Sequence, residues 1–443
     1  ESFQDPETAK ALNTYCVSIK VDREERPDVD EAYMTAVQLA TGHGGWPMSL
    51  FLTPDKRPFF AGTYFPRDSH GDFLGFRTLV ASIGQSWRQS RGEIEESAAR
   101  FTEALTSYLS QSAGPLSPSL DLRLVDKAVE ELHQEFDFEN GGFGLRPKFP
   151  PHATLRFLME YAAKRHQLPG DEDVFGSLSE QAGHMSLMTL ERMALGGVHD
   201  HGGGGFHRYS TDEAWLLPHF EKMLTDNALL LGLYAIAASS AGDDCARAHF
   251  ARVCEGIVRF LTSTLLTEDG LFMSAVDADS EGEEGLYYTW ATNEVRSVLS
   301  DRAGTFLQAF GAQDDGNYID EASHRRTGRN VLKLDQDVVG AFDGDLVALR
   351  TARASRLHPQ VDDKCVLGPN GLAIGALARA GCTERATVCA KRWLQEPELP
   401  HQITKGRAKG LPSLDDYAYF ANGLLDLTQA TGDPQWRVEA GEI

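Results

Sequence analysis

Cysteine is scarce in this sequence: Cys16, Cys245, Cys254, Cys365, Cys382 and Cys389 are the six in 443 residues, and no two form a C-x-x-C pair. That excludes a disulfide-stapled scaffold, and a chain of this length buries enough core to need none. Free thiols suit a reducing compartment, so the cytoplasm is the expected location. Long apolar runs are missing too. None approaches the ~18 residues of a membrane-spanning helix, and no charged, apolar, small-residue leader pattern opens the chain. A membrane is therefore not an expected partner. The first residue is Glu1 rather than Met, which leaves open what precedes it. Positive charge is in deficit: 42 Lys and Arg stand against 65 Asp and Glu, a net charge of −23 at pH 7. Nucleic acids and anionic surfaces are held by cations, so no nucleic acid is expected to bind. Fixed-period self-similarity is absent, which argues against a solenoid of repeats.

What remains is an ordinary globular composition, 42% hydrophobic and 24% charged, at a length that suggests two or three domains. Residues 1–110 read as mixed α/β. Strands are expected over 15–21 (YCVSIKV), 48–53 and 57–62, with a turn at Pro54-Asp55, and helices over 30–41 and 76–110. Residues 111–118 (QSAGPLSP) form a small-residue, proline-containing linker. Beyond it, amphipathic helical stretches recur at 119–135, 151–166, 178–195, 216–240, 244–265, 292–310, 340–357, 370–380, 383–395 and 415–431. Polar, glycine-rich loops at 141–144, 202–205 and 277–285 separate them. This alternation suggests helix hairpins closed into a ring, with the loops converging on one mouth. The expected fold is an α/β domain over 1–112 followed by an all-α toroid over 113–443.

The strings VSIKVDREERPDVD (17–30), GGWP (44–47) and FLTPD (51–55) are too specific to be generic. So are FGLRPKFPP (143–151), GGFHRYSTDEAWLLPHFE (204–221), DADSEGEEG (277–285) and DDYAY (415–419). Through them the chain resembles, over nearly its whole length, the YyaL or spermatogenesis-associated protein 20 family. The resemblance implies a thioredoxin-like domain fused to an (α/α)6 toroid like those of sugar epimerases and six-hairpin glycosidases. It implies a sugar-like small molecule as ligand of the toroid and a protein thiol as client of the thioredoxin-like domain. It also implies a Cys-His-Trp-Cys-His-type motif just upstream of the position matching Glu1-Ser2-Phe3. The sequence in hand begins after that point, and Cys16, in an apolar strand pattern, is no substitute. Pro47 after Trp46, entering a strand, matches the cis-proline of thioredoxin folds; an ordinary trans proline at a strand start is the alternative. The charged run 22–27 (DREERP) reads either as a salt-bridged loop or as one that tunes a thiol through Arg23 or Arg26.

Residues 197–227 are the densest constellation of chemistry. Pro218 suits the first turn of a helix, which puts His219, Glu221 and Asp226 at a helix start, and imidazole with carboxylate suits general acid–base work. His207 and Arg208 lie just upstream, and Trp215 offers an apolar face for a sugar ring. In 277–285, Asp277 and Asp279 are expected to reach into a cavity while 281–284 face solvent. In Asp362-Asp363 and Asp415-Asp416 one aspartate caps a helix and its neighbour points inward, the latter with Tyr417. The candidate catalytic residues are His207, His219, Glu221, Asp277, Asp363 and Asp416, expected to line one shared cavity. The candidate ligand-binding residues are Arg208, Trp215, Asp226, Asp279, Asn370 and Tyr417. Asn370 is included because it matches a family position, although Gly368-Pro369 replace the family's Ser-Trp and remove a stacking platform there. Residues two apart do not face each other on a helix, so His219 is expected to pair with Asp277 and Glu221 with Arg208. No metal is expected. H-E-x-x-H is absent, His199, His201 and His207 have no Cys partners, and 277–285 lacks the spacing of a calcium loop. No other cofactor is expected. A sugar isomerase, epimerase or hydrolase, a redox-partner module, and a non-catalytic binding protein all stay open.

Overall fold

The computed structural model describes residues 2–69, 71, 73–111, 123–165, 172–319, 325–336, 338 and 340–443. Two compact units divide the chain, 1–120 and 121–443. Beyond Gln111, the linker read at 111–118 lies outside the described residues.

In the first unit, α1 (Pro6–Tyr15) starts at Asp5, whose side chain accepts the Thr8 amide, with Pro6 at the first helical position. α2 (Pro27–Thr41) also opens on proline and ends at Gly42, whose φ of 81° only glycine adopts freely. β1 (Ser49–Leu52) and β2 (Pro58–Gly62) form an antiparallel hairpin that pairs Phe51 with Phe60. α3 (Phe76–Gln89) and α4 (Arg91–Gln111) follow, so the single helix expected over 76–110 is broken at Ser90. Phe51, Phe76, Leu79 and Val80 form the core, packed on Leu12, Tyr15 and Phe60. The strand expected over 15–21 is not formed. Tyr15 closes α1, the following residues have no ladder partner among the described residues, and Val17 is 91% exposed. β-prone side chains without a neighbouring strand gain nothing from alternation. The Trp46–Pro47 bond is cis. Trp46 Nε1 donates to Asp30 at 2.9 Å and Arg23 lies over the indole at 4.3 Å, so part of the charged run is spent on holding this tryptophan.

The second unit opens with α5 (Arg123–Glu135), α6 (His152–Lys164) and α7 (Glu172–Leu195). Short strands β3 (Tyr209–Ser210), β4 (Pro218–His219) and β5 (Lys222–Met223) lead directly into α8 (Leu224–Ser240), which α9 (Asp244–Phe260) backs. β6 (Ala275–Val276), β7 (Asp279–Ser280) and β8 (Glu283–Glu284) precede α10 (Thr292–Leu299), α11 (Ala303–Ala309) and α12 (Asp343–Arg353). β9 (Val361–Asp362) and β10 (Lys364–Val366) run into α13 (Leu367–Arg379), backed by α14 (Thr383–Trp393). β11 (Gln402–Thr404) and β12 (Arg407–Lys409) precede α15 (Leu414–Thr431) and α16 (Gln435–Glu442).

Antiparallel pairs α6/α7, α8/α9, α13/α14 and α15/α16 stand side by side, with α6, α8, α13 and α15 in contact as a row. This is the helical-hairpin architecture of a toroid. α8 and α13 are buried on most of their surface, which is why their sequences are apolar nearly all round. The polar loops converge on one end of the row. β5 pairs β6, and β6 pairs β9; β10 pairs β11, and β11 pairs β12. These ladders stitch together the N-terminal ends of α8 and α13. The helix expected over 216–240 therefore begins only at Leu224, because Pro218 and His219 pair with Ser210 and Tyr209 in a ladder.

Candidate functional site

Three segments lie edge to edge at this end. Lys148 exchanges both backbone hydrogen bonds with Ser210 at 2.8 Å, and Ser210 in turn pairs with Pro218. Alternation then sorts the side chains onto two faces. Lys148, Ser210 and Pro218 point inward and are buried. Their neighbours Phe149, Tyr209 and His219 form a row on the other face. The Phe149 and Tyr209 rings lie 4.6 Å apart, and Tyr209 stacks on the His219 imidazole at 5.0 Å. Strand pairing, not a helix turn, aims His219.

Its ring is held on one side and has a carboxylate near the other. Nδ1 lies 2.7 Å from Glu284 Oε1, and Nε2 lies 3.9 Å from Glu221 Oε2. Glu221 accepts from Arg208 at 2.6 Å, so the expected Arg208–Glu221 pair is present. His219 meets Glu284, not Asp277. Burial disfavours the charged imidazole, but the Glu284 hydrogen bond and the charges of Glu284 and Glu221 outweigh it, and the pKa is raised. The loop 277–285 explains why Glu284 arrives here. Glu281 and Gly282, at φ 54° and 83°, make the two-residue turn between β7 and β8, which sets Asp279 directly opposite Glu284. The Asp279 carboxyl is pushed up by partial desolvation first, then by Asp277 and Glu284. Asp277 and Asp279 are themselves exposed, so neither reaches into a cavity; residues 281–284 are exposed as expected, and from that surface position Glu284 bonds His219. A notch of about 20 Å³, room for one water, is lined by His219, Glu284, Thr211, Leu217 and Tyr318.

His207 belongs to a separate, deeper layer. It is 2% exposed, its Nδ1 bonds the Phe220 carbonyl at 2.9 Å, and burial holds its pKa well below the ordinary value. With His199, Asp200, His201 and Tyr288 it lines a second void of about 20 Å³. Asp200 anchors this layer. It takes a bidentate pair from Arg353 at 2.9 Å and a third contact from Lys222 at 2.7 Å. Burial alone would raise its pKa; Arg353 and Lys222 hold it well below the usual range. Lys222 also donates to the Gly204 carbonyl at 2.8 Å, and burial pushes its pKa down to about 8. Gly204 must be glycine: a Cβ there would sit 2.0 Å from the Gly256 carbonyl oxygen.

The other candidates lie apart from both layers, so the six catalytic candidates do not share one cavity. Asp363 pairs at the surface with Lys405 at 3.0 Å. Asp416 is buried in the capping box of α15, where it accepts from Ser413, from Gly368 N at 2.9 Å and from His401 at 2.6 Å. Tyr417 is exposed on the same turn. Asn370 is fully buried and spends its amide on backbone groups of Phe272 and Val366. Asp226, in the first turn of α8, faces His152 at 3.9 Å. Trp215 is fully buried, and its Nε1 donates to the Asn140 carbonyl, so it offers no face to a ligand. Among the described residues no group of three or more His, Cys, Asp or Glu is arranged to hold a metal ion. Glu284, Tyr209 and Phe149 escape a reading by motif. The x-Gly turn at 281–282 and the inward–outward alternation at 148–149, 209–210 and 218–219 are the signals that reveal them.

Comparison with known proteins places the chain in a lineage. Residues 1–106 match the thioredoxin-type DsbH family model, described as a protein of unknown function, DUF255. Spermatogenesis-associated protein 20 from Rattus norvegicus and from Homo sapiens is 35% identical over 98% of this chain and 61% of each relative. An uncharacterized Caenorhabditis elegans protein is 33% identical over 100% of the chain and 65% of its own length. The chain thus spans about three fifths of the length of the curated relatives it matches. Among solved structures, an unsaturated glucuronyl hydrolase specific for heparin is similar at 10% identity and a TM-score of 0.36, covering 91% of this chain and 97% of that one. The cellobiose 2-epimerase of Bacillus thermoamylovorans is similar at 14% identity and a TM-score of 0.28, covering 73% of this chain and 86% of that one. By its curated relatives and its N-terminal family model, this chain, with a thioredoxin-like N-terminal domain ahead of a helical toroid, is similar over nearly its whole length to the spermatogenesis-associated protein 20 family.

Proposed function

We propose that the helical unit carries a proton-transfer site for a sugar-like ligand, with His219 as its titrating group. One observation carries the reading: a partly exposed imidazole whose Nδ1 is fixed by Glu284 at 2.7 Å while Nε2 lies outside hydrogen-bonding reach of Glu221. With Nδ1–H donating to Glu284, the Nε2 lone pair is the base. It takes a proton from a carbon acid beside a sugar carbonyl, as isomerisation and epimerisation require, or from a water, as hydrolysis requires. The imidazolium that forms is stabilised by Glu284 and Glu221, the arrangement that also raises its pKa. The one-water notch beside His219 and Glu284 suits the hydrolytic version. A panel of aldoses, ketoses and glycosides, scored for turnover, tests the reading. His219→Gln keeps shape and removes titration, and a lost general base costs ~10²–10⁴ in rate. Full turnover by that variant would make His219 a structural residue.

A second reading rests on the family-model match of residues 1–106: a thiol–disulfide module whose toroid binds a client without catalysis. Five of the six cysteines are poor sources of a reactive thiolate. Burial pushes up the Cys16, Cys254, Cys365, Cys382 and Cys389 thiols. Client turnover in a thiol–disulfide exchange assay, with the sugar panel inert, would favour this second reading. The cytoplasm is the compartment we propose for either function. Six free cysteines support it, and no described helix is long and apolar enough to cross a membrane.

A further inference from the structure

The buried layer around Asp200 holds more positive charge than it neutralises. Arg353 and Lys222 share that one carboxylate, and both cations are buried with it. Low-dielectric surroundings screen the surplus poorly, so it is felt at the nearest surface. Loop 202–204 links this layer to two further arginines. Gly203 packs against Arg353 and Asp200, the Gly202 carbonyl lies 3.5 Å from Arg350 Nη1, and Gly204 lies against Gly256 of α9. Arg259 Nη2 is 3.6 Å from where a Gly256 side chain would begin. Among the described residues neither Arg259 nor Arg350 is ion-paired to a carboxylate, and Arg350 has that one long contact with the Gly202 carbonyl. Helix phase explains the meeting. Arg252 of α9 pairs with Asp343 of α12 at 2.6 Å, and about two turns further along each helix stand Arg259 and Arg350. An ion pair at one level is thus followed by two like charges at another.

We infer that Arg259 and Arg350 form a binding site for a phosphate dianion, free or as a phosphate monoester. Burial first and the Arg350 charge second lower the Arg259 pKa, against the pull of Asp200, Glu255 and Asp343. Asp343 is taken by Arg252, and Asp200 by Arg353 and Lys222. Four cations, Lys222, Arg259, Arg350 and Arg353, therefore face two carboxylates, Asp200 and Glu255, in a chain whose net charge is −23. Both arginines lie in the last turn of their helices, where the dipole favours a cation. That accounts for each arginine singly and not for two placed together. A surplus of two positive charges calls for a dianion. A carboxylate brings one charge and two oxygens, enough for one guanidinium fork. A phosphate brings a second charge and a third free oxygen, so two forks can each take a pair of oxygens.

Isothermal titration calorimetry of the full chain at constant ionic strength tests this, with sodium phosphate, glycerol phosphate, AMP and sodium acetate as titrants. The phosphates are expected to bind and acetate is not. Tightest binding by inorganic phosphate assigns the free ion; tighter binding by an ester assigns a monoester. Arg259→Gln and Arg350→Gln should each weaken phosphate about tenfold, the size of one lost charge-assisted hydrogen bond. Arg437→Gln, on the exposed surface of α16, removes the same charge and should leave binding unchanged. Without phosphate, Arg259→Gln should unfold in urea no earlier than the parent, because it relieves a repulsion; an arginine with a merely structural role would show a loss. No binding of any phosphate, acetate binding as tightly, or an equal loss in Arg437→Gln overturns the site. His219 enters none of these measurements, so the proton-transfer reading stands or falls separately.

Discussion

Asn227 and Asn370 hold the same position in two different helices and perform the same task. Each is fully buried in the first turn, of α8 and α13 respectively. Asn227 accepts the Phe206 amide at 2.7 Å and donates to the Phe206 and Met223 carbonyls at 3.0 and 2.9 Å. Asn370 accepts the Phe272 amide at 2.9 Å and donates to the Phe272 and Val366 carbonyls at 2.9 and 2.8 Å. A primary amide alone offers one acceptor and two donors at this spacing, so it mimics a strand partner for one phenylalanine and ties it to the residue that precedes the helix. The hairpins therefore repeat a fastening even where their sequences share no period.

Asn227→Ala and Asn370→Ala should destabilise by similar amounts, since each strands a buried N–H and a buried carbonyl at ~1–3 kcal/mol per group. Urea denaturation of the two variants measures this. A difference of several kcal/mol between them would show that the two fastenings are not equivalent.

Asp200→Asn should destabilise by a comparable amount. It leaves Arg353 and Lys222 buried beside an uncharged amide, and breaking a buried pair costs about 3–5 kcal/mol. A loss under 1 kcal/mol in the same denaturation experiment would mean that solvent reaches this layer.

The His219 imidazole should titrate above 6.5, and Glu284→Gln should bring its pKa down, because Glu284 supplies the hydrogen bond and the nearest charge. A rate that needs neutral His219 then rises as pH climbs through that raised value. NMR of the ring nitrogens reads the titration directly. An unchanged pKa in Glu284→Gln would sever the link between this pair and the chemistry.

Acid should loosen the deeper layer before carboxylates titrate. Burial holds His201 at about 4, and His199 and His207 lower as well, against roughly 6.5 in the unfolded chain. Below that unfolded value the unfolded state binds more protons. Stability is fully present above about pH 6.5 and is lost as pH falls toward 4. Melting temperature followed across that window should drop. A flat profile would mean that these rings are already protonated when folded.

Much of the fold is legible in the sequence because helices of ten or more residues display their period. The start of α15 can be read from Ser413 and Asp416, a serine with a carboxylate three residues on. Two-residue strands show no such signal: a single inward–outward step at 218–219 cannot be told from a helix start, and Pro218 favours the wrong choice. Glu284 is solvent-facing as read, but its reach to His219 is not legible. Its direction depends on positive φ at Glu281 and Gly282, and only Gly282 announces it. The strand read over 15–21 errs in the opposite way, since β-prone residues predict a partner that the described residues do not place there.

Each of the three paired segments at 148–149, 209–210 and 218–219 gives one residue to the interior and one to the outer row. Inheritance can therefore act on them separately. An exchange at 149, 209 or 219 alters the outer row while the clamp beneath is untouched, and an exchange at 148, 210 or 218 risks the scaffold. A lineage built on such a strip can change its outer row in single steps and never pass through an unfolded ancestor.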